Sequence, residues 1–393
     1  MKKIILLLLV SMLTAPAFAE FPPHCLDELK TKTVDGILEL NKCQLYDEDM
    51  RPVASFVHQH PEIVGVDISS NYITWKGVKT LLMNNSIKSL YAYGVSLEDL
   101  ELVELANIIK QQNRMESVAV QYKGSEGPKA LASVPSLREI HLSPQSSMGG
   151  ELNDDAIMAL AKKPNLQTLS LGFFYKLTHA ELTQLVKNPS LTTLSLFFSG
   201  IDDEEAEILA TSKTLAALYL ASNHITSVGA KALAKSTTLK SLDLTFAEID
   251  DEAVSALAAN SSFEELDLSE CKVSDTAVAT FANNTTLKHL ILKYNNITDA
   301  GVIALAKNKS IEELSLYQNN IGDAGAIALA ANSMLRFIEL QYNHINKPGL
   351  DALESMNNVV ILLEGNDGVI KHDPDYVSKK THRNWSHELK HLH

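Results

Sequence analysis

Near its C-terminus the chain reads HELKH, His387 to His391, followed by Leu392 and His393. On a helix, H-E-x-x-H sets two imidazoles one turn apart with a glutamate placed to activate a zinc-bound water, the chemistry of zinc proteases. Hydrolysis also needs a third protein ligand and an enclosed pocket that shapes the water. His393 follows His391 by two residues and so falls on a different helical face. His382, His387, His391 and His393 crowd the same short tail, so composition alone can produce the motif. The expectation is a solvated polar tail with no catalytic and no metal site, adventitious weak metal binding staying open. No G-x-S-x-G elbow or Walker A loop occurs, and no separate segment is long enough to hold an active site. An enzyme is therefore not expected, nor a cofactor.

The elements that would have to position any chemistry begin with an export signal. Residues 1–19, MKKIILLLLVSMLTAPAFA, carry two lysines, an apolar run from Ile4 to Val10 and an Ala17-Phe18-Ala19 ending suited to cleavage before Glu20. The run is short for a bilayer span and no later stretch is longer, so the expectation is a secreted or periplasmic protein with no membrane insertion after signal cleavage. The formal net charge of −14 becomes more negative once Lys2 and Lys3 leave, which argues against nucleic acid as partner. Of three cysteines, Cys25 and Cys43 can pair as a cap over a first hydrophobic layer, though connectivity does not follow from sequence. Cys271 is expected as a free buried thiol.

Internal repeats dominate the rest. Aligned on L-x-x-L-x-L, starts fall at Leu191, Leu215, Leu239, Phe263, Leu287, Ile311, Leu335 and Val359, each 24 residues after the last. Upstream starts at Asp35, Ile63, Ile87, Met115, Leu137 and Leu166 are less regular, and about thirteen repeats fill residues 35–364. In LKHLILKYNNITDAGVIALAKNKS, Leu287, Leu290 and Leu292 point to one side of a short strand, Asn295 turns the chain, Ile297 re-enters the core, and Gly301 opens a helix. One unit cannot bury its own apolar face; stacked copies bury a continuous core and line up their strands. The turn asparagine recurs at Asn71, Asn223, Asn295, Asn319 and Asn343, with Cys43 and Cys271 in the same place. Residues 20–34 would form an N-terminal cap and residues 365–393 a C-terminal cap or tail anchored by Trp385.

These residues resemble the leucine-rich repeat superfamily, in its ribonuclease-inhibitor-like class, and IGDAGAIALAANS (Ile321 to Ser333) looks like the bacterial GALA-type variant. The resemblance implies an α/β fold: a curved solenoid with a parallel sheet on the concave face and helices on the convex face. It also implies a recognition scaffold, with a protein as partner.

Residues between and just after the strand leucines should face the concave side. They include Tyr91, Tyr93, Tyr122, Phe173, Phe197, Phe198, Tyr219, Phe246, Tyr294, Tyr317 and Tyr342. Exposed aromatics bury much area at low entropy cost and make good binding anchors. They can equally pack on each other and stiffen the sheet, and the two readings are compatible. Lys240, Glu264, Lys288, Glu312 and Arg336 alternate in sign over five repeats and read as a structural charge ladder. Glu265, His289 and Glu313 have the donor types of a metal site, but a histidine held charged between two glutamates accounts for them more simply. Asp243, Asp267, Glu270 and Glu339 add negative charge suited to a basic partner surface. Between Tyr91 and Tyr175 the spacing is irregular, and SPQSSMGGE (Ser143 to Glu151) is an extra loop, open as recognition element or drift. The leading expectation is an exported protein-binding module, a secreted effector or adhesion-type factor if the source is a host-associated bacterium. The alternative is a structural or housekeeping protein of the bacterial envelope.

Overall fold

A computed structural model describes residues 33–83, 87–145, 152–172 and 177–367. The HELKH motif, Trp385, the signal segment, Cys25 and Phe173 lie outside the described residues. The chain divides into two compact units, Met1–Leu169 and Ser170–His393.

In the first unit, β1 (Thr33–Val34) pairs antiparallel with β2 (Ile37–Glu39). Then β3 (Gly65–Asp67), β4 (Ser89–Ala92), β5 (Ser117–Tyr122) and β6 (Glu139–Pro144) follow in parallel and in chain order. β7 (Thr168–Leu171) falls at the division. In the second unit, β8 (Thr193–Ser195), β9 (Ala217–Tyr219), β10 (Ser241–Asp243), β11 (Glu265–Asp267), β12 (His289–Ile291), β13 (Glu313–Ser315), β14 (Phe337–Glu339) and β15 (Val360–Leu362) form the same parallel succession. A helix separates most successive strands, as the period-24 pattern requires.

Register carries the core. Leu194, Leu218, Leu242, Leu266, Leu290, Leu314 and Ile338 are direct partners on successive strands, and all are buried. One apolar column of this kind removes seven branched side chains from water, each contributing about 1.5–3 kcal/mol.

Two polar ladders close the turns on either side of that column. After the strand, Asn319 Nδ2 donates to Leu292 O at 2.9 Å and its Oδ1 accepts from Ile297 N at 3.1 Å. Asn71, Asn223, Asn295 and Asn343 do the same in their repeats, and Cys271 substitutes its thiol, donating to Leu244 O. Before the strand, Asn260, Asn284, Asn308 and Asn332 each donate to two carbonyls of the preceding repeat. A buried backbone group left unpaired costs free energy, which is why an amide side chain recurs at these positions.

A third device joins the helices. Asp203, first residue of the helix Asp203–Ala210, accepts through Oδ1 from Thr226 N and Gly229 N of the following repeat, both at 2.9 Å. A Cβ on Gly229 would meet that oxygen at 2.6 Å, so the glycine in the first turn of the helix answers to the aspartate of the previous repeat.

The structure corrects the last repeat. Its strand register pairs Ile338 with Ile361, one residue earlier than a start at Val359 implies. Asn366 then takes the turn position, donating to Leu340 O at 2.8 Å and accepting from Ile345 N at 3.2 Å. Cys43 is disulfide-bonded and Cys271 is free and buried. The partner of Cys43 lies outside the described residues.

Candidate functional site

The outward face of the second unit is built from the strand residues between the buried leucines and from the one residue before each turn position. That last position is left-handed in repeat after repeat: Phe198 (φ 49°), Ser222 (58°), Phe246 (68°), Glu270 (56°), Tyr294 (53°), Gln318 (52°) and Tyr342 (55°). The left-handed turn swings the chain so that the next residue enters the turn: Asn223, Asn295, Asn319 and Asn343 in four repeats, Ser199 and Cys271 in two, and Ala247, which has no side-chain donor, in one. Glycine would adopt this conformation at lowest cost, since a side chain there is penalised by roughly 1–2 kcal/mol. Aromatics nonetheless occupy every second repeat, with polar residues between them.

These four rings are presented to solvent: Phe198 is 59%, Phe246 49%, Tyr294 45% and Tyr342 45% exposed. Tyr317, one position earlier on the intervening repeat, packs between two of them, 5.1 Å from the Tyr294 ring and 5.2 Å from the Tyr342 ring. Tyr342 is seated further by Gly365, where a Cβ would meet the ring at 2.5 Å. Phe197 lies 6.4 Å from Phe198, and Phe197 and Tyr219 are half-buried.

Carboxylates run alongside. Asp243 and Asp267 are direct partners on β10 and β11. Asp267 Oδ1 accepts from Ser269 N at 2.8 Å and Ser269 Oγ at 2.6 Å. Loss of hydration around Asp267, and then the Asp243 charge beside it, push its carboxyl up to about 7. Glu339 pairs with Lys293 at 3.0 Å and accepts from Ser315 Oγ. His289 lies 3.7 Å from Glu313. Among the described residues no group of three or more His, Cys, Asp or Glu is placed to hold a metal. The alternating charges resolve into pairs, Lys240–Glu264 at 3.0 Å and Lys288–Glu312 at 2.9 Å, and the bond from Lys288 holds the Glu312 carboxyl below its usual value.

The repeats on which this surface stands are matched independently by sequence profiles. The family described as "Leucine rich repeat" matches residues 285–345, and a second profile of the same description matches 187–207, 211–234, 235–258 and 259–282. The chain is a leucine-rich repeat protein. Curated proteins give no match to it in a sequence search. Among solved structures, an internalin from Listeria monocytogenes is similar at 19% identity and a TM-score of 0.46, over 83% of this chain and 95% of that one. TLR13, solved in complex with ssRNA13, is similar at 17% identity and a TM-score of 0.49, over 81% of this chain. This leucine-rich repeat chain covers 52% of the TLR13 chain, about half its length.

In the first unit the aromatic residues are placed differently from the sequence expectation. Tyr122 is fully buried. Strand β5 continues through it without a left-handed residue, so strict alternation puts Val118, Val120 and Tyr122 on the core side. Lys123, at the turn-asparagine position, instead reaches out to Glu98 at 2.8 Å. Tyr91 is 7% exposed, and burial pushes its phenol up, as it does for the half-buried Tyr93. The sequence reading missed Tyr46 and Tyr72, which stack with centroids 5.1 Å apart while remaining exposed. Tyr72 directly follows Asn71, and that adjacency was the available signal.

Proposed function

We propose that this protein is an exported recognition module that binds a protein partner through the sheet face of its second unit. The observation that carries the reading is the placement of Phe198, Phe246, Tyr294 and Tyr342: bulky rings at left-handed positions, about half exposed. Strained, exposed aromatics are costly to keep for packing alone and well suited as anchors. Leucine-rich repeats as a family are recognition scaffolds, and the repeat is read as the GALA-type variant. No catalytic step belongs to this reading. Export rests on the N-terminal segment, and in a host-associated bacterium the module would act as a secreted effector or adhesion-type factor. No helix among the described residues is long and apolar enough to cross a membrane.

A second reading, a structural envelope protein, is favoured by the contacts of Tyr317 with its two neighbours, which can stiffen the sheet without any ligand. A cross-linked pull-down with the purified chain, beside a variant with Phe197, Phe198, Phe246 and Tyr294 changed to serine, separates the two. Capture of a defined protein by the wild type, lost in a variant that keeps its circular dichroism spectrum, supports the recognition module. Retained capture with a lowered Tm supports the stiffening role and removes the stripe from the binding surface.

A further inference from the structure

Resting on that reading, we infer that the occupant of the stripe is a proline-rich, basic protein segment in the polyproline II conformation, lying across the strands of the second unit. The argument begins with spacing. Phe198, Phe246, Tyr294 and Tyr342 hold the same position on every second repeat, and the strands that lead into them, β8, β10, β12 and β14, alternate with β9, β11 and β13 in one parallel succession. Neighbouring strands lie about 4.8 Å apart, so successive anchors recur at about 9.6 Å. The rings on β12 to β14 agree: the steps through Tyr317 are 5.1 and 5.2 Å, and they zigzag because Tyr317 sits one position earlier.

Three regular partner conformations can be weighed against that period. A polyproline II helix repeats every three residues at about 9.3 Å, so one side chain per turn meets each ring, with a drift of about 1 Å over the three intervals. An α-helix presents one stripe per heptad at about 10.5 Å, drifting by about 3 Å over the same intervals. An extended β-strand covers three residues in about 10 Å but turns alternate residues to opposite faces, so consecutive anchors would meet opposite sides of it. The polyproline II rod fits best. Aromatic-lined grooves are also the physical means by which such rods are bound, because the ligand loses little entropy on docking.

Charge selects the basic member of that class. Glu270 stands at the stripe position between Phe246 and Tyr294, and Asp243 lies on β10, the strand that leads into Phe246. Lys293 is already paired with Glu339. A segment carrying arginine or lysine between its prolines would set cations over the rings and against these carboxylates.

The test is fluorescence anisotropy with the full chain and four labelled peptides: (Pro-Pro-Arg)×5, (Pro-Pro-Glu)×5, (Gly-Ser-Arg)×5 and a helical Ala/Arg peptide of equal charge. The expected result is binding of the Pro-Pro-Arg peptide at least tenfold tighter than of the other three. It should weaken tenfold or more in Phe246→Ser/Tyr294→Ser, and severalfold with a shallower salt dependence in Glu270→Gln. Circular dichroism confirms that each variant is folded. Equal binding of the Gly-Ser-Arg or helical peptide, binding indifferent to the double variant, or no binding at all overturns the inference. If the pull-down still shows stripe-dependent capture of a protein, the recognition module stands and only the polyproline partner falls.

Discussion

Asp299 Oδ1 accepts the amide hydrogen of Gly325 at 2.9 Å, and a Cβ added to that glycine would lie 2.7 Å from the same oxygen. The same oxygen takes the Gly322 amide at 2.7 Å, so one carboxylate of one repeat holds the first helical turn of the next. Gly325→Ala must push the carboxylate away or shift the helix Asp323–Ala330, and Ile321 at 2.9 Å from the added Cβ leaves little room. The alanine gains helix propensity worth up to about 1 kcal/mol, while overpacking costs about 1–3 kcal/mol and the lost bonds add to it. The expected outcome is a net loss of about 2 kcal/mol in urea unfolding. An unchanged midpoint would show that the aspartate clip contributes nothing.

Asn319 gives a second, independent measure. Its Nδ2 serves Leu292 O and Leu316 O, and its Oδ1 serves Ile297 N, all in a buried turn. Asn319→Ala strands these groups, each at a cost of about 1–3 kcal/mol, and the expected loss is about 3 kcal/mol. Asn319→Asp keeps the acceptor but cannot donate, so it should fall nearly as far. Urea midpoints for both variants check this.

The parts of the fold that repeat strictly were legible because each is written several times over. The leucine column and the turn asparagine recur in register, and period and side-chain direction together settle where they go. The second ladder, Asn260 to Asn332, was also present in the sequence but hidden, because serine takes its place at Ser212 and Ser236. What failed were local departures. Nothing in the composition of SVAVQYK announces that β5 runs on through Tyr122, because the missing left-handed residue is a backbone event. The one-residue slip at Ile361 was masked by Val359, Val360, Ile361, Leu362 and Leu363, any of which could fill the apolar position. For the stripe, the sequence supplied its members, whereas its strain and exposure belong to the backbone.

Asp267 predicts a pH dependence. In the unfolded chain its carboxyl would titrate near the ordinary 3.8, whereas in the fold burial and Asp243 push it up to about 7, with Lys293 opposing. Between these values the folded state holds the proton that the unfolded state has lost, so stability falls as pH rises through that window. The urea midpoint should therefore be higher at pH 5 than at pH 8. Asp267→Asn keeps an oxygen for Ser269 and removes the charge, so it should raise stability at pH 8 and flatten the profile. A midpoint insensitive to pH in the wild type would contradict the shared burial of the two carboxylates.

Phe246 separates anchoring from stiffening by magnitude. Phe246→Gly gives up roughly half of a phenylalanine surface, about 100 Å², worth about 2.5 kcal/mol at most. It also relieves a left-handed strain of about 1–2 kcal/mol. The two nearly cancel, so stability should change by about 1 kcal/mol or less while partner binding is lost. Tyr317→Ala acts differently, because it removes a ring packed on both Tyr294 and Tyr342, and aromatic pairs contribute about 0.5–1.5 kcal/mol each. Its expected cost is about 1–3 kcal/mol. Thermal unfolding of the two variants, read beside pull-down capture, checks the division: Phe246 acts on the partner and Tyr317 holds the rings that meet it. A Phe246→Gly protein that unfolds far more easily than Tyr317→Ala would assign the outer rings to the fold instead.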